Sequence, residues 1–205
     1  MNLCMLAPEF VPVWGGVGTY IVELIKNLPK EVNIHVVTPI RESYGKEKIS
    51  TNDYNLDKYF DENIKIHFIS KASDTFFYNA KFQYACQKYV PKIIKEYDIN
   101  IIHSHTAHMP DILLQYKKTS AKTVTTIHTT IKGQREGTLK SGMNFLDLEF
   151  SEKITYLSYY GLRVIEEIYF HKDRKYLTVS NWMKNNIIKN YPSIREEDIK
   201  VVYNI

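Results

Sequence analysis

Short apolar runs alternate with longer amphipathic stretches along this chain. Residues 2–7, Asn-Leu-Cys-Met-Leu-Ala, read as a buried strand, and residues 19–28 place Ile21, Leu24, Ile25 and Leu28 at helical spacing. Pro29 follows, then an apolar run at 32–38 that predicts a second strand. Residues 40–62 are polar, carry Gly45 and several Asn and Asp, and predict a loop too long to be idle in a compact domain. Residues 64–69 alternate as a half-buried strand does, and 79–97 predict a helix that Pro91 kinks or restarts. Further strands are predicted at 99–103, 122–127, 176–179 and 199–202. Between them lie a short helix at 111–117, a loop marked by Gly133, Gly137 and Gly142, and a long helix from Ser151 to Phe170. Ser180 and Asn181 cap a last helix that reaches Asn190.

Strands alternating with helices predict an α/β fold, a Rossmann-like doubly wound parallel sheet of about seven strands covered on both faces. Ligands bind such sheets at the strands' carboxyl ends, near the point where strand order reverses. The last strand closes the chain with no helix after it, which reads as the edge of a domain excised from a longer protein. The 205 residues, 44% hydrophobic, suffice for one large domain with a real core. The net charge of +4 is compatible with an anionic ligand or a membrane surface, and too weak to argue for nucleic acid. Cys4 in a predicted core strand and Cys86 in a predicted helix argue against a disulfide scaffold and for a reducing compartment. No signal peptide precedes the first strand and no apolar run reaches membrane-spanning length, so a soluble cytoplasmic protein is expected.

Three segments put polar groups at strand ends. In the first, Gly15-Gly16-Val17-Gly18 links the first strand to a helix N-terminus, where free N–H groups and the helix dipole favour an anion. A tight turn without a ligand accounts for the same glycines. The second is His103-Ser104-His105-Thr106-Ala107-His108, and the third is His128-Thr129-Thr130. A dinucleotide site is disfavoured, because Ile21 stands where a third glycine belongs and the second strand ends Val37-Thr38-Pro39 with no acidic residue for a ribose. Neither a P-loop motif nor a nucleophile elbow occurs. The three histidines have no cysteine nearby, and no metal site is expected. His103 and His105 are read as pointing to opposite strand faces, one ring in the core and the other toward the crevice.

Five segments, taken in order, resemble the N-terminal domain of retaining glycosyltransferases of family 4, which have the GT-B fold. Pro8-Glu9-Phe10 with Gly15-Gly16-Val17-Gly18-Thr19-Tyr20 looks like that domain's opening loop and helix. Ile101-Ile102-His103-Ser104-His105 is similar to the family's strand ending H-x-H, and Val124-Thr125-Thr126-Ile127-His128-Thr129 to its T-x-H strand. Thr178-Val179-Ser180-Asn181-Trp182-Met183-Lys184 is similar to T-V-S-x-x-x-K, and Val201-Val202-Tyr203-Asn204-Ile205 to the V-I-x-N-G strand that ends the domain. The resemblance covers essentially the whole chain. It implies an acceptor-side domain, with the C-terminal donor-binding domain absent from this chain, so that the chain alone is inactive. It implies transfer from a nucleotide-sugar, used as substrate rather than cofactor, to a carbohydrate or lipid-linked acceptor. It places Gly15, Gly16 and Gly18 along the cleft and His128 beside the reacting sugar, with Thr129 next to it and His105 as a second family histidine of open role. No metal is implied. Two departures stand out. Val13 occupies the place of the lysine in the K-x-G-G of glycogen and starch synthases, which disfavours an ADP-glucose glycogen synthase. Ile205 replaces the final glycine. A GT-B sugar-nucleotide epimerase half and a self-contained nucleotide- or sugar-binding Rossmann-like module are the alternatives.

Other residues carry two readings. Trp14 stacks on a sugar or fills a gap beside the sheet. Phe76, Phe77, Tyr78, Phe82, Tyr84 and Tyr89 read as core and interdomain packing. Trp182, Lys184, Ile187, Ile188 and Lys189 form a basic amphipathic helix, suited to peripheral membrane contact or to packing on the sheet. Arg135 and Lys140 are placed in a loop after His128, available to an anionic acceptor or simply solvated.

Overall fold

The computed structural model describes residues 1–11, 15–41, 43–44, 47–48, 60–72, 78–106, 109–142, 144–148, 150–171 and 173–203. Its strands are β1 (Asn2–Leu6), β2 (Asn33–Arg41), β3 (Ser43–Tyr44), β4 (Glu47–Lys48), β5 (Ile64–Ala72), β6 (Ile101–His105), β7 (Lys122–Ile127), β8 (Lys175–Thr178) and β9 (Ile199–Val201). Its helices are α1 (Gly16–Asn27), α2 (Tyr78–Glu96), α3 (Ile131–Lys140), α4 (Phe150–Leu157), α5 (Tyr159–Tyr169) and α6 (Asn181–Asn190). Seven strands form one parallel sheet in the order β5-β2-β1-β6-β7-β8-β9, and β3 and β4 form a separate antiparallel pair. The chain divides into two compact units, Met1–Val124 and Thr125–Ile205, with the division inside β7.

In the first unit, alternation along β1 feeds two cores. Leu3, Met5 and Ala7 pack with Ile21, Val22 and Ile25 of α1, whereas Cys4 and Leu6 pack with Phe82, Cys86 and Val90 of α2. A strand buried on both faces reads as a continuous apolar run, which is why residues 2–7 do. Strand order reverses at β1, which pairs in parallel with β2 on one side and β6 on the other. In the second unit Ile127, Tyr169, Phe170, Tyr176, Ile187, Tyr191 and Ile199 are buried. Phe170 meets Tyr176 and Tyr191 edge-on, with ring centroids 5.6 and 4.7 Å apart.

Several expectations need correction. The second strand does not end at Thr38. It continues to Arg41, because the ladder with β5 shifts register at Thr38/Pro39 and so absorbs the proline's missing N–H. The fourth strand lies two residues later than expected, since Asp98 adopts a positive φ of 48° in the preceding turn. The short helix at 111–117 reduces to a 3-10 turn at Leu114–Tyr116. The glycine-marked loop is helix α3 over most of its length, and Arg135 lies on that helix. The single helix at 151–170 is two helices broken at Ser158, a residue of weak helix propensity. α2 runs through Pro91 without restarting. Of the aromatic group, Phe82 is core, Tyr84 and Tyr89 are exposed, and Phe76 and Phe77 lie outside the described residues. Among the described residues no helix is long and apolar enough to cross a membrane.

Candidate functional site

The strand reversal in the first unit sets β1 beside β6. The loop leaving β1 leads to α1, whose N-cap is Gly15 in extended conformation with no side-chain capping bond. Gly15 and Gly16 are exposed, and nothing lies within 4 Å of a Cβ built on Gly16. A Cβ at Gly15 would come within 2.5 Å of the Glu9 carboxylate, so the glycine makes room for that side chain. Gly18 is placed differently. With Ile21, Val22 and Ile25 it forms the buried stripe of α1 and presents no open surface. Trp14 lies outside the described residues.

His105 is the last residue of β6 and is fully buried. His103 is buried as well, and the two rings stack with centroids 4.6 Å apart. This overturns the expected split between core and crevice, because residues two apart on a strand share a face. Tyr20 of α1 meets His105 edge-on at 5.9 Å, so both histidines lie on the α1 side of the sheet. Ser104, between them, points the other way and donates to buried Asp111. Among the described residues no group of three His, Cys, Asp or Glu is placed to hold a metal ion. His108 lies outside them.

In the second unit β7 ends at Ile127, and half-buried His128 and Thr129 follow. Their backbone runs into a tightly anchored helix start. The Thr130 hydroxyl accepts from Gly133 N–H at 3.0 Å as the N-cap of α3, and the Ile131 N–H donates to Glu166 Oε1 at 2.8 Å. Glu166, buried on α5, also accepts from the Tyr191 hydroxyl and from Arg163. Burial raises its carboxyl above the ordinary range, against the pull of Tyr191, the Ile131 amide and Arg163. Sequence reasoning passed over Glu166, because its partners lie 25 and 35 residues away. Arg135 faces a collar of three tyrosines, its guanidinium carbon 4.1 Å from the Tyr159 ring centroid. α6 is capped by Ser180, whose hydroxyl accepts from the Met183 N–H at 3.1 Å; it buries Ile187 and exposes Trp182.

The model of Glycosyltransferase Family 4 matches residues 14–205. The chain belongs to glycosyltransferase family 4. No curated protein matches its sequence significantly. Among solved structures it resembles a glycosyltransferase from Rickettsia africae ESF-5, with 22% identity, a TM-score of 0.51, and 99% of this chain and 42% of that one covered. Sucrose-phosphate synthase from Thermosynechococcus elongatus gives a TM-score of 0.63 at 8% identity, covering 99% of this chain and 48% of that one. The apo form of UGT2 from Phytolacca americana gives 0.59 at 7% identity, with 100% and 52% covered. The chain thus spans about half the length of these three proteins. The likeness is one of fold, a Rossmann-like half of the GT-B architecture.

Proposed function

We propose that this chain is the acceptor-side half of a retaining glycosyltransferase, which moves a sugar from a nucleotide-sugar to a carbohydrate or lipid-linked acceptor. The donor is held by a C-terminal half outside these 205 residues. The observation that carries the reading is His128, one residue past the carboxyl end of β7 in a family 4 chain, where α/β sheets place their ligands. Thr130 and Glu166 hold the backbone immediately beyond it, so the imidazole starts from a fixed position. An oriented imidazole can hydrogen-bond the transferring sugar and stabilise charge that develops at the anomeric centre. Thr129 contributes a hydroxyl beside it. At the strand reversal of the first unit, exposed Gly15 and Gly16 let a polar ligand approach the amides of the α1 N-terminus, whose dipole favours negative charge. His105 is fully buried and acts as a positioning residue behind that loop. Gly18 serves by letting α1 pack close.

The test is transfer by the full-length protein. His128→Ala lowers kcat by about 100-fold or more while leaving the unfolding midpoint in place, and His128→Asn recovers part of the loss. An undiminished rate in His128→Ala removes the assignment.

A further inference from the structure

α3 and the α4–α5 pair enclose a half-open cleft of about 460 Å³, within the size range of small-molecule sites. Arg135, Gln134, Thr138, Thr155, Tyr156 and Tyr159 line it, and Gly137 leaves part of its floor open, with nothing within 4 Å of a built Cβ. Its chemistry is one-sided. Arg135 is the cation, and no Asp or Glu lines the cleft among the described residues. The guanidinium lies over Tyr159, with the Tyr156 and Tyr160 rings 5.3 and 5.7 Å away, so stacking on aromatic faces pre-orients it. Its Nε is shielded from solvent and meets no hydrogen-bond acceptor among the described residues. Arg135 lines the cleft, where an oxyanion would meet the planar fork of N–H donors that a guanidinium presents. Around the charge, the Tyr156 and Tyr159 rings offer apolar faces of the kind that sugar C–H surfaces pack on. The Gln134 amide and the Thr138 hydroxyl, which itself donates to the Gln134 backbone carbonyl, add polar groups to the lining.

We infer that this cleft binds an anionic saccharide, with its carboxylate or phosphate on Arg135 and its ring against the tyrosines. The inference rests on the acceptor-side reading above and narrows it. The acceptor carries an acidic group, and that group is held between α3 and α4–α5.

The experiment is calorimetric titration of this chain with glucuronate, glucose 6-phosphate and glucose. At least one of the two acids binds at least about tenfold more tightly than glucose, and the acid that binds identifies the charged group. Arg135→Gln lowers the affinity for that acid to the level of glucose. Thr138→Trp, which fills the cleft from an adjacent turn of α3, abolishes binding of all three. Urea unfolding of each variant checks its folding, and Thr138→Trp decides the matter if Arg135→Gln fails to fold. The inference is overturned if neither acid outbinds glucose, if the preference survives Arg135→Gln, or if Thr138→Trp binds as the unmodified chain does. The titration contains no donor and reads no transfer, so its failure leaves His128-dependent transfer intact, and the reverse holds too.

Discussion

His35 and His67 show what burial does to a single residue. His35 lies on β2, with its Nδ1 2.9 Å from Nε2 of His67 on β5. Tyr97 packs over both rings, and Lys65 donates to the Tyr97 hydroxyl at 2.6 Å. Burial, then the neighbouring His67 and Lys65, lowers His35 from the ordinary 6.5 to about 4, with Glu96 opposing. His67 moves the same way for the same first cause. One proton between the rings satisfies the pair, and a second would set two N–H donors against each other. The unfolded chain therefore takes up protons first as the pH falls. The pair's contribution to stability is full above about pH 6.5 and drains as the pH falls from 6.5 towards 4. His35→Gln should flatten that part of the stability–pH curve in urea unfolding, and an unchanged slope would contradict the account. The cysteines make the converse point. Burial raises Cys4 to about 12 and Cys86 well above its ordinary value, so both are inert core thiols. Their apolar settings in a strand and a helix were already legible in the sequence.

At the scale of elements, α3 is the instructive case. Gly133 and Gly137 each cost about 1 kcal/mol relative to alanine in a helix, and local propensity reads the segment as a loop. Its N-terminus is instead secured by Thr130 and by the carboxylate of Glu166, which also holds Tyr191 and Arg163. Removing that carboxylate would take an acceptor from the Ile131 N–H and from the buried Tyr191 hydroxyl, while Arg163 keeps its pairing with Glu167. Glu166→Ala is expected to cost about 3 kcal/mol in urea unfolding, and Glu166→Gln less, because its amide oxygen still accepts. A loss below about 1 kcal/mol for the alanine variant would show that solvent replaces these bonds. α6 is the opposite case. Its cap at Ser180-Asn181 and its end near Asn190 were read from the sequence, since capping is a local chemistry confined to a few adjacent residues.

For the whole molecule, alternation of strand and helix led to the doubly wound sheet, and the order of five short segments led to the family. Strand order came from the structure, because pairing of β1 with β6 joins residues nearly 100 positions apart. If this chain is the acceptor half, nucleotide-sugar affinity belongs to the full-length protein. Titration with UDP-, GDP- and ADP-sugars should show binding by the full-length protein and none by this chain up to about 1 mM. Tight binding by the chain alone would favour a self-contained nucleotide-binding module.

The sequence by itself determined the α/β class, the seven sheet strands to within a few residues, and the segments that end at His105 and His128. Those features follow from two-residue and 3.6-residue periods and from side chains acting on their own backbone. The shared face of His103 and His105 is also contained in the two-residue period. Tertiary structure alone decided that β2 runs past Pro39, because β5 pairs with it, and that Gly18 turns inward while Gly15 and Gly16 stay open. It also decided that a glycine-bearing segment is a helix and that Arg135 sits in a tyrosine collar. Each of these depends on partners distant in the chain, and no local period encodes where those partners arrive.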